Sequence, residues 1–100
     1  MTASTHATFV PHVGEVFVAE APGGAPMELR LVSADLHTDT EQQHGFALVF
    51  RGPHDPALGQ GLYALQHEAL GALSLFLVPV GMEADGRLYE AVFNLLKPVD

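Results

Sequence analysis

Residues 70–81 read Leu-Gly-Ala-Leu-Ser-Leu-Phe-Leu-Val-Pro-Val-Gly, with Ser74 the one polar side chain. The run is too short to cross a bilayer as a helix, which takes roughly 20 apolar residues. A continuous apolar run of this kind is either a buried helix segment or a strand covered on both faces. The β-branched Val78 and Val80, the bracketing Gly71 and Gly81, and Pro79 where a helix would have to stop all favour the strand. A half-exposed antiparallel strand alternates apolar with polar residues, and this one does not. Cover for its second face is therefore expected, from a barrel or sandwich partner or from another protein molecule.

The rest of the chain punctuates itself into short strands. Ser4 or Thr5 is placed to cap a short helix over about 5–12, with Phe9, Val10 and Val13 as its apolar side and Pro11 limiting its length. Gly14 releases a strand over 15–20, with Phe17 and Ala19 opposite Val16 and Val18. The turn Ala21-Pro22-Gly23-Gly24-Ala25-Pro26 leads to a second strand over 27–36, in which Met27, Leu29 and Leu31 alternate with Glu28 and Arg30. Residues 37–44 are polar and unpatterned, which reads as a surface loop. Further strands are expected over 45–51, 61–67, 72–80 and 87–95, separated by Gly52-Pro53-His54-Asp55-Pro56, by a turn over 68–71 and by a hairpin loop over 81–86. Asn94 and Pro98 mark the end of the last strand. No helical period is long enough for a βαβ unit. The expected fold is all-β: a single domain over 1–100, a small six-stranded antiparallel barrel or sandwich with a short N-terminal helix.

Charge narrows the possible partners. Twelve acids face Arg30, Arg51, Arg87 and Lys97, for a net charge of −8. Four scattered cations cannot form the basic footprint that a phosphate backbone requires, so neither nucleic acid nor an anionic membrane is an expected partner. Charged residues make up 16% of the chain, against the usual ~25%. Such sparse charge suits a domain that lives in an assembly. The absence of cysteine removes disulfides, thiol catalysis and thiolate metal sites. It fits the cytoplasm and equally a particle assembled outside the cell. The opening Met-Thr-Ala-Ser-Thr-His lacks the basic start and apolar core of a signal peptide, so signal-dependent secretion is not expected.

No motif carries a reaction. Gly59-Gln60-Gly61-Leu62-Tyr63-Ala64 has the letters of a dinucleotide fingerprint, but a Pro-rich turn precedes it and a β-like segment follows, where a strand and a helix are needed. Residues 81–86 have the glycine spacing of a phosphate loop, but Arg87-Leu88 stands where Lys and Ser or Thr belong. The six histidines match no local metal-ligand spacing, and loop histidines in an acidic chain read as solvated. Asp35, Asp39 and Glu41 lack the order that wraps calcium. Ser4, Ser33 and Ser74 lie in no nucleophile elbow, and Glu83 and Asp85 sit in a loop without burial to raise their pKa values. No catalytic, cofactor-binding or metal residue is expected, and the chain is read as not an enzyme.

What remains is an apolar surplus. If Leu73, Leu75 and Leu77 face the core, then Phe76, Val78 and Val80 face the other way, or the reverse; the last strand likewise sets Val92 and Leu96 opposite its Tyr89–Phe93 face. Phe76, Val78, Val80, Val92 and Leu96 are therefore the candidate interface, unless the N-terminal helix and the loops cover them. The partner would be a second copy or another protein. The alternative is a small β-barrel binding an apolar ligand inside, and a His-dependent metalloenzyme stands third.

Several segments resemble a family of bacterial domains of unknown function. These are Phe9-Val-Pro-His-Val-Gly-Glu-Val-Phe17, Phe46-Ala-Leu-Val-Phe-Arg-Gly-Pro53, Gly61-Leu-Tyr-Ala-Leu-Gln-His67, Leu70-Gly71, Phe76-Leu-Val-Pro-Val-Gly81 and Tyr89-Glu-Ala-Val-Phe-Asn94. The resemblance implies a small β-rich protein, often encoded near phage-tail-collar-like proteins, and hence a structural or assembly role in a phage-tail-like particle or surface fibre. It carries no catalytic residues.

Overall fold

A computed structural model describes residues 5–21 and 23–96. A one-turn helix, α1 (His6–Phe9), runs into a 3-10 turn (Val10–His12). Six strands follow: β1 (Val16–Glu20), β2 (Pro26–Asp39), β3 (Gln43–Gly52), β4 (Gly61–His67), β5 (Gly71–Glu83) and β6 (Gly86–Leu96). They are antiparallel throughout and close into a ring in the order β1-β2-β3-β6-β5-β4. Of the expected barrel or sandwich with a short N-terminal helix, the chain forms the barrel. Among the described residues, no helix is long and apolar enough to cross a membrane.

The ring is uneven because two long strands change partners along their length. β2 pairs with β1 over 26–30 and with β3 from Arg30 onward, with register shifts around Val32 and His37. β5 pairs with β4 over 71–77 and with β6 over 78–83, with a shift around Val80. Extra residues of this kind bend a strand and increase its local twist, which lets one strand serve two neighbours. The tightest economy is at the closure, where β1 and β4 share only the register pairs Val18↔Gln66 and Ala19↔Leu65.

Alternation fills the interior. Phe17, Leu29, Leu31, Phe46, Leu48, Phe50, Leu65, Leu77 and Tyr89 are wholly buried. The Tyr89 hydroxyl accepts the Leu58 amide N–H at 2.9 Å, so the polar tip of this buried side chain has a partner. Phe46 and Phe93 stack at 4.4 Å between centroids, and Phe9 from α1 closes over them at 6.0 and 5.8 Å. Thr5 precedes α1 and donates its backbone N–H to Thr8 Oγ1. Ser4, Pro22 and Pro98 lie outside the described residues.

The apolar run is a strand from Gly71, as expected, with Leu75 and Leu77 in the core; among the described residues α1 packs on β2 and β3 and the outer face of β5 is exposed. Two expectations are corrected. The expected loop over 37–44 is instead the tip of a long hairpin, with Thr38 opposite Gly45 and Asp39 opposite His44. Both faces of that tip are solvated, so the ladder forms there without any alternation to reveal it. Likewise β5 runs on to Glu83 and β6 begins at Gly86, shrinking the expected 81–86 loop to a turn at Ala84-Asp85.

Candidate functional site

The outward face of β4 and β5 is the first candidate. Leu62, Ala64 and Gln66 on β4 stand opposite Phe76, Ser74 and Ala72 on β5, and all six are exposed. None carries a charge. Val18 of β1, beside Gln66, extends the face. Leu62 (69% exposed) and Phe76 (50%) are cross-strand partners, a pairing that normally earns its stability from burial. Of the sequence candidates, Phe76 and Val78 lie on this outer face of β5, with Val78 half-buried opposite Glu90. Val80, at the strand's register shift, is 50% exposed, and Val92, on β6, 56%. Leu96 (82% exposed) is not brought together with them, because it sits at the far end of β6 opposite Gln43. Leu62 was missed, although its place beside the inward Tyr63 and Leu65 already pointed it outward.

The second candidate was not visible in sequence spacing. His12, Glu15 and His67 converge in an open cleft of about 570 Å³, rimmed by Gly14, Val16, Arg30, Glu68 and Ala69. Their nearest nitrogen and oxygen atoms all lie within 4.8 Å of one another. Glu15 Oε1 is 2.8 Å from His12 Nδ1 and 2.7 Å from His67 Nε2. These hydrogen bonds, His12's first and then His67's, hold the Glu15 carboxyl below its ordinary 4.5, against a smaller opposing effect of burial. His67 is buried, with 4% of its side chain exposed, and its ring lies 4.4 Å from that of Phe17 and 4.6 Å from that of His12.

Two histidines and a carboxylate are a familiar metal set, so the donor chemistry matters. His67 Nδ1 accepts the amide N–H groups of Ala69 and Leu70, at 3.0 and 3.2 Å. A ring nitrogen that accepts two donors carries no proton, so the neutral ring is protonated at Nε2 and donates to Glu15. A metal-ligating histidine has the opposite arrangement: its free nitrogen binds the ion and the other donates outward. The cluster therefore fits a hydrogen-bonded triad better than a metal centre. The reading of histidines as merely solvated is also corrected, since His6 bonds the Ala34 carbonyl, His44 accepts the His6 amide and His54 bonds the Ala84 carbonyl. The partners come from segments far apart in the chain (His67 and Glu15 are 52 residues apart), which no local spacing can signal.

The model of a family described as a domain of unknown function, DUF6916, matches residues 4–93. The chain belongs to this family. The DUF6916 match takes in both candidates, with Leu62, Phe76 and Val92 on one side and His12, Glu15 and His67 on the other, while Leu96 falls beyond it. No curated protein and no solved structure matches the chain.

Proposed function

We propose that this DUF6916 domain is a non-enzymatic assembly module that docks onto protein, a second copy or a different chain, through the outer face of β4 and β5. The observation that carries this reading is the charge-free face of Leu62, Ala64, Gln66, Ala72, Ser74 and Phe76 on a chain of net charge −8. Contiguous apolar surface of this kind marks interaction sites, and an uncharged face lets acidic molecules approach without like-charge repulsion. A phage-tail-like particle or surface fibre is the form of assembly that the resemblance implies. The reading as a barrel for an apolar ligand has less support, because the interior positions are taken by side chains such as Phe17, Phe50, Leu77 and Tyr89.

A photo-crosslinking residue placed at position 62 or 76 is expected to give protein adducts in the native host, whereas the same residue at the exposed Glu41, on the β2–β3 tip, gives none. Phe76→Asp should abolish association in light scattering while changing stability by no more than about 0.5 kcal/mol, as exposed substitutions usually do. Equal crosslinking at positions 62, 76 and 41, or none at any of them, would remove the proposal.

A further inference from the structure

We propose that Glu15 is an acid-released latch on the closure of the ring, tying the N-terminal 3-10 turn and the start of β1 to the end of β4. The geometry places one carboxylate oxygen where three segments meet. His12 reaches it from the 3-10 turn, His67 reaches it from the last position of β4, and Glu15 itself stands immediately before β1. This is also the thinnest part of the ring, where β1 and β4 share two register pairs. Across the other neighbouring interfaces the ladders are longer. Charge-assisted hydrogen bonds are roughly twice as strong as neutral ones, so two of them at so short a seam are a large share of what holds it.

The latch is anchored from behind. The Glu15 carbonyl accepts the Leu31 amide, and the Gly14 amide donates to the Leu31 carbonyl, which fixes the residue against β2. On the β4 side, the Ala69 and Leu70 amides orient His67 so that Nε2–H faces Glu15. The charged and titratable groups around Glu15 are His12 on the 3-10 turn, Arg30 on β2, and His67 and Glu68 at the end of β4. Arg30 donates from Nη1 to the Gly14 carbonyl. Glu68 lines the same cleft and its charge opposes that of Glu15.

Protonating Glu15 removes the charge that makes both bonds strong. The sign for Glu15 follows from its lowered folded-state value. Its contribution is whole above pH 4.5 and is lost as pH falls through that lower value. The seam then parts while the β3–β6 ladder, with its ten register pairs, stays shut.

Amide hydrogen exchange on the full chain tests this, with protection factors corrected for the intrinsic effect of pH. In the wild type, protection of the cross-seam amides in the Val18–Gln66 and Ala19–Leu65 pairs is expected to fall roughly tenfold between pH 7 and the acid side of the Glu15 titration, with β3 and β6 unchanged, as a sub-global opening behaves. Glu15→Gln should show that loss already at pH 7 and little further change in acid. Glu68→Gln, on the same rim, should behave as the wild type. The latch is overturned if Glu15→Gln protects the seam as well as the wild type does at pH 7, or if β3 and β6 lose protection together with the seam. It is also overturned if added Zn²⁺ raises protection at the seam in the wild type but not in Glu15→Gln, since the cluster would then be a metal site.

Discussion

Single residues decide where this fold has no slack. Gly86 opens β6 at a φ of +154°, and a Cβ there would collide with the Gly52 carbonyl oxygen across the ladder. Gly52 is constrained from its own side, since a Cβ on it would come within 2.7 Å of Leu29 Cδ2. Gly86→Ala is expected to cost ~2–4 kcal/mol in denaturant unfolding, the range for forced backbone strain with a backbone clash. Gly59→Ala, where an added Cβ meets nothing within 4 Å, should be close to neutral in the same assay. Sequence reading marked Gly86 only as a turn residue, because its neighbour Gly52 is brought beside it by the sheet. His67 teaches the same lesson. Its inward position was readable from the alternation with Tyr63 and Leu65, but its tautomer depends on a turn and its partner on a residue 52 positions away in the chain that ring closure brings beside it.

Whole strands were legible wherever one face is dry and the other wet. The inward sets of β1, β3 and β6, and of β2 as far as Leu31, appear in the sequence as alternation and the ladders keep that phase; β2 changes it at the register shift around Val32. Legibility failed at the wet tip of the β2–β3 hairpin, where polarity suggested a loop. Thr40 holds that tip by accepting the Gln42 and Gln43 amides on Oγ1 at 3.2 and 3.0 Å and by donating its own amide to the Gln43 carbonyl. Thr40→Ala should therefore lower amide protection at Gln42 and Gln43 and cost about 1 kcal/mol or less, leaving the β3–β6 ladder intact. β5 was legible as a strand from its unbroken apolar run, but not in its pairing: it divides its length between β4 and β6, with Phe76 exposed opposite Leu62 of β4.

At the scale of the molecule, one end of the ring is shut by the N-terminal segment. Phe9 is wholly buried against Phe46 and Phe93, while Val10, next in the chain, is exposed. Phe9→Ala should cost ~3–5 kcal/mol in denaturant unfolding, as large aromatic truncations in cores do, and Val10→Ala far less. By itself the sequence determined the all-β class, the number of strands and which residues of a strand share a face, because period-two alternation and glycine-proline punctuation act locally on the backbone; which face of β5 is the core, and barrel over sandwich, came from the packing. Only the tertiary structure decided which strands adjoin, where β2 and β5 change partners, and that His12, Glu15 and His67 meet. Those outcomes depend on closing the ring, and closure joins residues too far apart in the chain for any local pattern to record.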